Sequence, residues 1–456
     1  MAERGRPVVG LIDHIRSPIY GRAYALILSS AVTSVLGLLY WTLAARLYNA
    51  DDVGVNAALI STMMFLSYLS QLGLAGALTR FIPTAGRTTT KLILGSYGAT
   101  VLMSAAVASV FILGAGIWVP EVRSLVGTPA AAAWFLAATM AWSLFTLQDA
   151  VLTGLRRTVW VPIENTIFAA TKVLLVVVLA GSLTGAGVYV SWTVPATLSI
   201  VPINLMIFRW FLPSHVTRHG DLEPEANVGQ IGRYLAFDFG GSLLGSASTA
   251  LLPLIVLATS GASASAYYYI AWTVASALMM FSVSMGISLS VEGAGRRSEV
   301  GLAMRRMLRL LVGLQLPLVI VIVTFAPLIL EVFGRRYSDE GAMLLRFLAL
   351  GVLPNGVNSV CLGVARARRQ LLVLFGIQAA QAVSFVALAV VFLPALGIAG
   401  VGLAFLVGQS AVALVAFVTQ IGPLLRAGRH QSTTESETVP RLTDAGESAG
   451  PGRPPE

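Results

Sequence analysis

LLVLFGIQAAQAVSFVALAVVFL, residues 371–393, runs for twenty-three positions without a charged side chain. A bilayer core of about 30 Å is crossed by about 20 apolar residues in a helix, and only helices or closed barrels satisfy the backbone there. The run is continuously apolar instead of alternating, so it predicts a membrane-spanning helix. Arg366, Arg368 and Arg369 stand just before it, and a second apolar run, 398–425, follows after a short break.

Working outward, the same pattern fills the chain. Spans are predicted at 24–47, 55–79, 92–118, 130–153, 161–181, 186–212, 234–258, 264–291, 308–333, 343–365, 371–393 and 398–425. Composition agrees: 56% of the 456 residues are hydrophobic and 11% charged, with a mean hydropathy of +0.80. A soluble domain carries about a quarter charged residues, so a soluble core is excluded. The net charge of +9 is a topology signal when its arginines sit in short loops, and no nucleic-acid role follows from it. One cysteine, Cys361, rules out an intrachain disulfide and a cysteine metal cluster.

Twelve spans put both termini on one side. With that side cytoplasmic, 24 basic residues fall inside, and only Arg46, Arg123, Arg335 and Arg336 fall outside. The first helix lacks a small-residue cleavage pattern and is read as retained. Trp41, Trp118, Trp160, Trp210, Tyr48 and Tyr234 lie near span ends, where interfacial aromatics belong. The expected organisation is a cytoplasmic segment 1–23, a six-helix bundle 24–212, a cytoplasmic loop 213–233, a second bundle 234–425 and a disordered tail 426–456. The outer loops leave no room for an external catalytic domain.

The two bundles read as copies. Ser34-Val-Leu-Gly37 is echoed by Ser242-Leu-Leu-Gly245 at an offset of 208, and Gly154-Leu-Arg-Arg157 by Gly363-Val-Ala-Arg-Ala-Arg-Arg369 at 209. Six spans per copy is even, so the copies share one orientation about an axis along the membrane normal, as in carriers that rock about a central site. Pro195, Pro202, Pro253, Pro317, Pro327 and Pro354 permit kinks, and Gly241-x-x-x-Gly245 permits close helix approach.

Ser34-Val-Leu-Gly-Leu-Leu-Tyr-Trp-Thr-Leu-Ala-Ala-Arg-Leu-Tyr48, Asp52-Val-Gly54 and Leu72-Gly-Leu-Ala-Gly-Ala-Leu-Thr-Arg-Phe-Ile-Pro83 resemble the polysaccharide flippases of the Wzx type. These belong to the multidrug/oligosaccharidyl-lipid/polysaccharide (MOP) exporter superfamily. The resemblance spans about residues 20–425. It implies an all-α polytopic protein of about 12 transmembrane helices in two pseudo-symmetric, MATE/MOP-like bundles. It also implies a bacterial plasma-membrane location and a carrier that moves undecaprenyl-pyrophosphate-linked oligosaccharide to the outer leaflet. The implied partners are the lipid-linked glycan and, in surface glycan assembly, a polymerase or glycosyltransferases, with the carrier a monomer. Two further C-terminal helices of the lipid II flippase branch have no counterpart, which argues against that branch. A multidrug or cation antiporter of the same superfamily is the first alternative, and a membrane glycosyltransferase or assembly factor the second.

A pyrophosphate crossing a membrane needs fixed cations in a wet cavity. Lys172, about 11 residues into the fifth span, is the strongest candidate; pairing with a carboxylate or snorkelling is its bland reading. Arg46, Arg80, Arg209 and Arg346 lie at or near span ends, where arginines also serve as anchors. Asp238, Asp149 and Glu164 are candidates for ion coupling, against salt bridges to Arg156, Arg157 or Arg233. Gln71, Gln148, Asn165, Asn204, Asn355, Asn358, Gln378 and Gln381 are candidates for sugar contacts, against ordinary inter-helix bonds. His215 and His219 have metal-ligand spacing, but Pro213, Gly220 and Pro224 speak against a stable helix there, and no metal site is expected. No phosphate loop, dinucleotide fingerprint or nucleophile constellation is present, so neither enzyme chemistry, a cofactor nor ATP-driven transport is expected.

Overall fold

Twelve principal helices carry the fold in a computed structural model that describes residues 18–118, 120–219, 239–240, 243–295, 300–368 and 370–421. They are α1 (Pro18–Leu47), α2 (Ala50–Ser70), α3 (Thr89–Trp118), α4 (Pro129–Gly154), α5 (Trp160–Leu179), α6 (Gly187–Met206), α7 (Leu252–Ser260), α8 (Ala262–Gly295), α9 (Leu316–Glu331), α10 (Arg335–Ala367), α11 (Leu371–Leu396) and α12 (Ile398–Ala416). No strand occurs among the described residues. Eleven segments are long and apolar enough to cross a membrane, one of them being Leu243–Ser260, which includes α7; the apolar part of α1, Val32–Leu47, is shorter. Leu113 and Ile117 are each 82% exposed and Leu372 83%. An outward face of this kind suits lipid, not water. This is a membrane protein.

Several spans are less regular than their apolar content predicts. The expected helix 55–79 ends at Ser70, turns through Leu72 and Gly73 with φ of 49° and 76°, and restarts as Leu74–Phe81. Glycine tolerates that left-handed turn, and it stops the helix inside an apolar run. Wide π turns interrupt the helical path at Ile207–Phe211, Leu311–Gln315 and Phe417–Ile421. Chain length alone cannot reveal them. Pro327 accompanies a real kink, with Phe325 at φ −97° and ψ 15°, whereas α6 runs through Pro195 and Pro202 and α10 through Pro354. Leu212–His219 is helical despite Pro213, which sits in the first turn where proline is tolerated. The expectations for 1–17, 220–238 and 422–456, including Asp238, Arg233, Tyr234 and most of the expected loop and tail, lie outside the described residues.

The second half repeats the first. In one, α1 packs on α5, α2 on α4, and α4 and α5 on α6; in the other, α7 packs on α11, α8 on α10, and α10 and α11 on α12. A β-carbon on Gly154 would strike the Leu78 carbonyl, and one on Gly363, 209 residues later, would strike that of Gly286. Gly245 has no such role: it faces open space, and Gly241 lies outside the described residues.

The halves meet where α2 crosses α8, with Gly54 against the backbone of Ala262 and Ala266. At this arginine-poor end Ser263 donates to Asp51, and Arg46 donates to the carbonyls of Val332 (2.9 Å) and Glu331 (2.8 Å). Those carbonyls lie at the C-terminal end of α9, where Gly334 N also donates to the Glu331 carbonyl (3.0 Å) and the Val332 carbonyl has no backbone donor among the described residues.

Candidate functional site

Lys172 projects from α5 into a cage of rings. Its Nζ is 3.7 Å from the centroid of the Trp192 ring, 4.9 Å from that of Tyr40 and 5.1 Å from that of Phe168. The residue is 6% exposed. Among the described residues it makes neither an ion pair nor a hydrogen bond, so its charge rests on ring faces alone. The cage is itself fixed: the Tyr40 hydroxyl donates to Val188 O (2.7 Å) and shares a 3.0 Å bond with Ser191, and Trp142 and Phe145 back Phe168. Trp41 extends the cluster to the other half, 5.9 Å from Trp192 and 4.6 Å from Tyr269 on α8. Trp41 and Tyr48 are thus core residues, 3% and 7% exposed, not interfacial ones as their positions near span ends suggest. Trp210 is exposed, 57%.

One turn beyond Tyr269, Trp272 stacks on Phe385 and edges onto Phe405 at the wall of a cavity of about 330 Å³. Asn355, Gln378 and Gln381 line it, with Ser246, Ser248 and Thr249 opposite on the segment before α7. Gln409 organises the amides, its Oε1 accepting from Asn358 Nδ2 (2.8 Å) and Gln381 Nε2 (2.9 Å). The oxygens of Asn355 and Asn358 are left without a partner among the described residues. None of the described lining residues carries a charge. The four amides expected to contact sugar in this half therefore gather around one space. Gln409, which sequence reasoning missed, gives the same signal: an amide inside an apolar span.

Gln381 follows Lys172 by 209 residues, and Thr249 follows Tyr40 by 209. The two sites thus occupy equivalent places in the two halves, one filled by rings and the other open.

A third cluster lies nearer the arginine-rich end of the first half. Asn204 Nδ2 donates to Gln148 Oε1 (2.8 Å), Gln148 donates to Glu164, and Asn165 Nδ2 donates to Asp149 Oδ2 (3.2 Å). Glu164 Oε2, Asp149 Oδ1, Asn204 Oδ1 and the Tyr97 hydroxyl are buried without a partner among the described residues. Neither carboxylate pairs with Arg156 or Arg157, so those salt bridges are not made, and Arg233 lies outside the described residues. Gln71 stands apart, donating to Thr146 Oγ1 (2.7 Å) across α2 and α4.

The arginines disperse. Arg346 is half-buried and donates to Val323 O (3.1 Å), the carbonyl that Pro327 leaves without its helical donor. Arg46 ties the halves together as described. Arg80 and Arg209 are exposed. His215 is buried with Nε2 3.1 Å from Ile82 O, and no group of three metal-ligating side chains occurs among the described residues.

The MatE family model matches residues 239–378. Among solved structures, the lipid II flippase MurJ in an inward closed conformation is similar at a TM-score of 0.68 and 12% identity, covering 86% of this chain and 87% of that one. An inward-facing multidrug resistance MATE family transporter of the MOP superfamily is similar at 0.62 and 15% identity, over 89% and 96%. The multidrug transporter DinF-BH in complex with R6G gives 0.60 and 12%, over 88% and 95%. No curated protein matches. At these identities the likeness is one of fold: the chain has the transporter fold shared by these flippases and exporters.

Proposed function

We propose that this chain is a MOP-superfamily flippase that carries an undecaprenyl-pyrophosphate-linked oligosaccharide from the inner to the outer leaflet of a bacterial plasma membrane, for surface polysaccharide assembly. The observation that carries this reading is the C-terminal cavity, lined among the described residues by amides, hydroxyls and aromatic rings and by no carboxylate. Sugars are held by amide hydrogen bonds and by ring faces, and about 300–1,000 Å³ is the usual size of a small-molecule site. A cationic drug would find no counter-charge among the described lining residues, which weighs against the multidrug reading. Lys172, without an anionic partner of its own, supplies the fixed charge that a pyrophosphate needs, while the polyprenyl tail stays in the bilayer. The positive-inside bias puts both termini and the arginine-rich end in the cytoplasm. The end sealed by Arg46, Asp51 and Gly54 then faces outward, and substrate loads from the inside in this state.

Coupling to a proton or cation gradient is favoured by one further observation, the unpartnered oxygens of Glu164 and Asp149. Each would accept a proton or ion without displacing an existing bond.

The test is flipping of a fluorescent undecaprenyl-pyrophosphate oligosaccharide in proteoliposomes by the intact protein and by Lys172→Ala. Flipping by the first and loss in the second, at equal reconstitution, is expected. No flipping across several glycans, together with cation-driven dye efflux, would replace this reading with the antiporter.

A further inference from the structure

A second concentration of positive charge lies away from both the ring cage and the amide cavity. Where α4 turns into α5, a pocket of about 160 Å³ opens between that turn and the helix Leu212–His219 that follows α6. Arg156, Arg157 and Arg218 line it together with Ser214 and His215, and none of the described lining residues is a carboxylate. Arginines at the C-terminal turn of α4 complement the helix dipole, but that explains only two of the three, because Arg218 arrives from a separate element. The guanidinium groups of Arg156 and Arg218 make no hydrogen bond or ion pair among the described residues, so their donors are unspent. Arg157 is held in place over the Phe211 ring at 5.0 Å.

The backbone also marks this turn. Arg156 has φ of +58°, a left-handed conformation that favours glycine, imposed where Arg157 N bonds to Leu152 O (2.8 Å) and Arg156 N to Thr153 O (3.0 Å). A glycine would close the same turn without strain, and an arginine stands there instead. Trp160, packed on Phe211 at 5.9 Å, and the exposed Trp210 put the pocket at the level where aromatic side chains meet lipid headgroups.

We propose that Arg156, Arg157 and Arg218, with the Ser214 hydroxyl, form a binding site for the phosphate of an anionic lipid headgroup at the arginine-rich face of the N-terminal half. Clustered guanidinium groups bind phosphate through paired, charge-assisted bonds, and basic pockets at the cytoplasmic ends of membrane helices take lipid headgroups. The site stands independently of the carried substrate.

The experiment is native mass spectrometry of the full-length protein in non-ionic detergent, titrated with phosphatidylglycerol, with phosphatidylcholine or with inorganic phosphate. The probe variants are Arg156→Gly, which removes the guanidinium but gives the turn its favoured residue, and Arg218→Gln. The control is Arg366→Gln with Arg368→Gln, which removes equal charge from the corresponding turn of the second half. Phosphatidylglycerol should bind the intact protein and the control alike, and bind the Arg156→Gly/Arg218→Gln protein roughly tenfold more weakly. Phosphatidylcholine should not bind in this way. Equal weakening in the control would overturn the proposal, since attraction would then be diffuse surface charge. Inorganic phosphate occupying the site with the same variant dependence, and phosphatidylglycerol failing to compete, would overturn it in favour of a soluble anion. Because no flipping is measured, failure here leaves the flippase reading standing, and the converse also holds.

Discussion

The two halves of this protein share a framework and differ in what they place at its centre. In the N-terminal half Lys172 fills its space with a charge and the rings of Tyr40, Phe168 and Trp192. In the C-terminal half, 209 residues on, Gln381 opens onto a neutral cavity whose amides are only partly satisfied. The two halves share where the helices pack, through contacts such as Gly154 on Leu78 and Gly363 on Gly286. Their central side chains differ, so that one half offers a fixed cation and the other offers hydrogen bonds. A ligand with an anionic head and a polar, ring-rich body calls for both.

The sharpest way to break that comparison is to remove the charge and keep the volume. Lys172→Met should reduce transport roughly 10- to 100-fold, the equivalent of one charge-assisted contact of about 1.5–3 kcal/mol. The melting temperature should hold or rise, because replacing a buried charge with an apolar side chain of similar size is often neutral or stabilising. A protein that transports normally but melts several degrees lower would make the lysine a structural feature of the cage.

On the other side of the comparison, Gln409→Leu takes away the acceptor that Asn358 and Gln381 share. Asn358 keeps its bond to the Gln409 backbone carbonyl (3.1 Å), whereas Gln381 is left unpaired at a cost of about 1–3 kcal/mol, so this variant should lose stability as well as sugar affinity. Gln378→Leu should spare stability, since Gln378 makes no side-chain hydrogen bond among the described residues, and should raise the concentration for half-maximal transport by up to about tenfold. A uniform loss of stability in both variants would mean the amides hold the helices together and do not read the ligand.

Exchanging the two central residues asks whether position or surroundings matter. Lys172→Gln combined with Gln381→Lys keeps total charge and moves it across the repeat. Transport should stay low, because the second half has Thr249 where the first has Tyr40, and lacks the ring cage that fixes the ammonium group. Recovery to near the native rate would show the halves to be interchangeable.

What the sequence discloses about these sites follows from cost. A lysine or an amide inside an apolar run must find a partner or a purpose, so Lys172, Asn355, Gln378 and Gln381 stand out by their placement alone. Gln409 carries the same signal within the run 398–425, where a single amide is easily absorbed into the apolar pattern. The cage is not legible, because its rings come from α1, α5 and α6, with Tyr40 and Trp192 separated by some 150 residues. Trp41 shows why: near the end of a span it reads as an interfacial anchor, and only packing against Tyr269 of the other half sinks it into the core. The spans themselves are legible from apolar content, whereas the break at Leu72–Gly73 and the π turns are decided by packing that hydropathy does not encode.

The smallest expected effect lies at the end where the halves are tied. Arg46 donates to the carbonyls of Glu331 and Val332 at the end of α9, so one side chain ties the two halves across the boundary and satisfies the Val332 carbonyl, which has no backbone donor among the described residues. The site is exposed, and solvent can replace those bonds, so Arg46→Ala should weaken the tie by only about 1 kcal/mol. Weakening one closed contact by that amount raises the open population about fivefold where the closed state dominates. A cysteine introduced at Ala264, near the sealed crossing of α2 and α8, would report this through its labelling by a membrane-impermeant thiol reagent. The native Cys361 is fully buried and adds little background. Labelling should quicken several-fold in Arg46→Ala and stay slow for a cysteine at Gly245, on the cavity of the second half. If both positions speed up together, Arg46 supports the fold of its own half; if only Ala264 does, it is a latch between two halves that otherwise keep their separate chemistries.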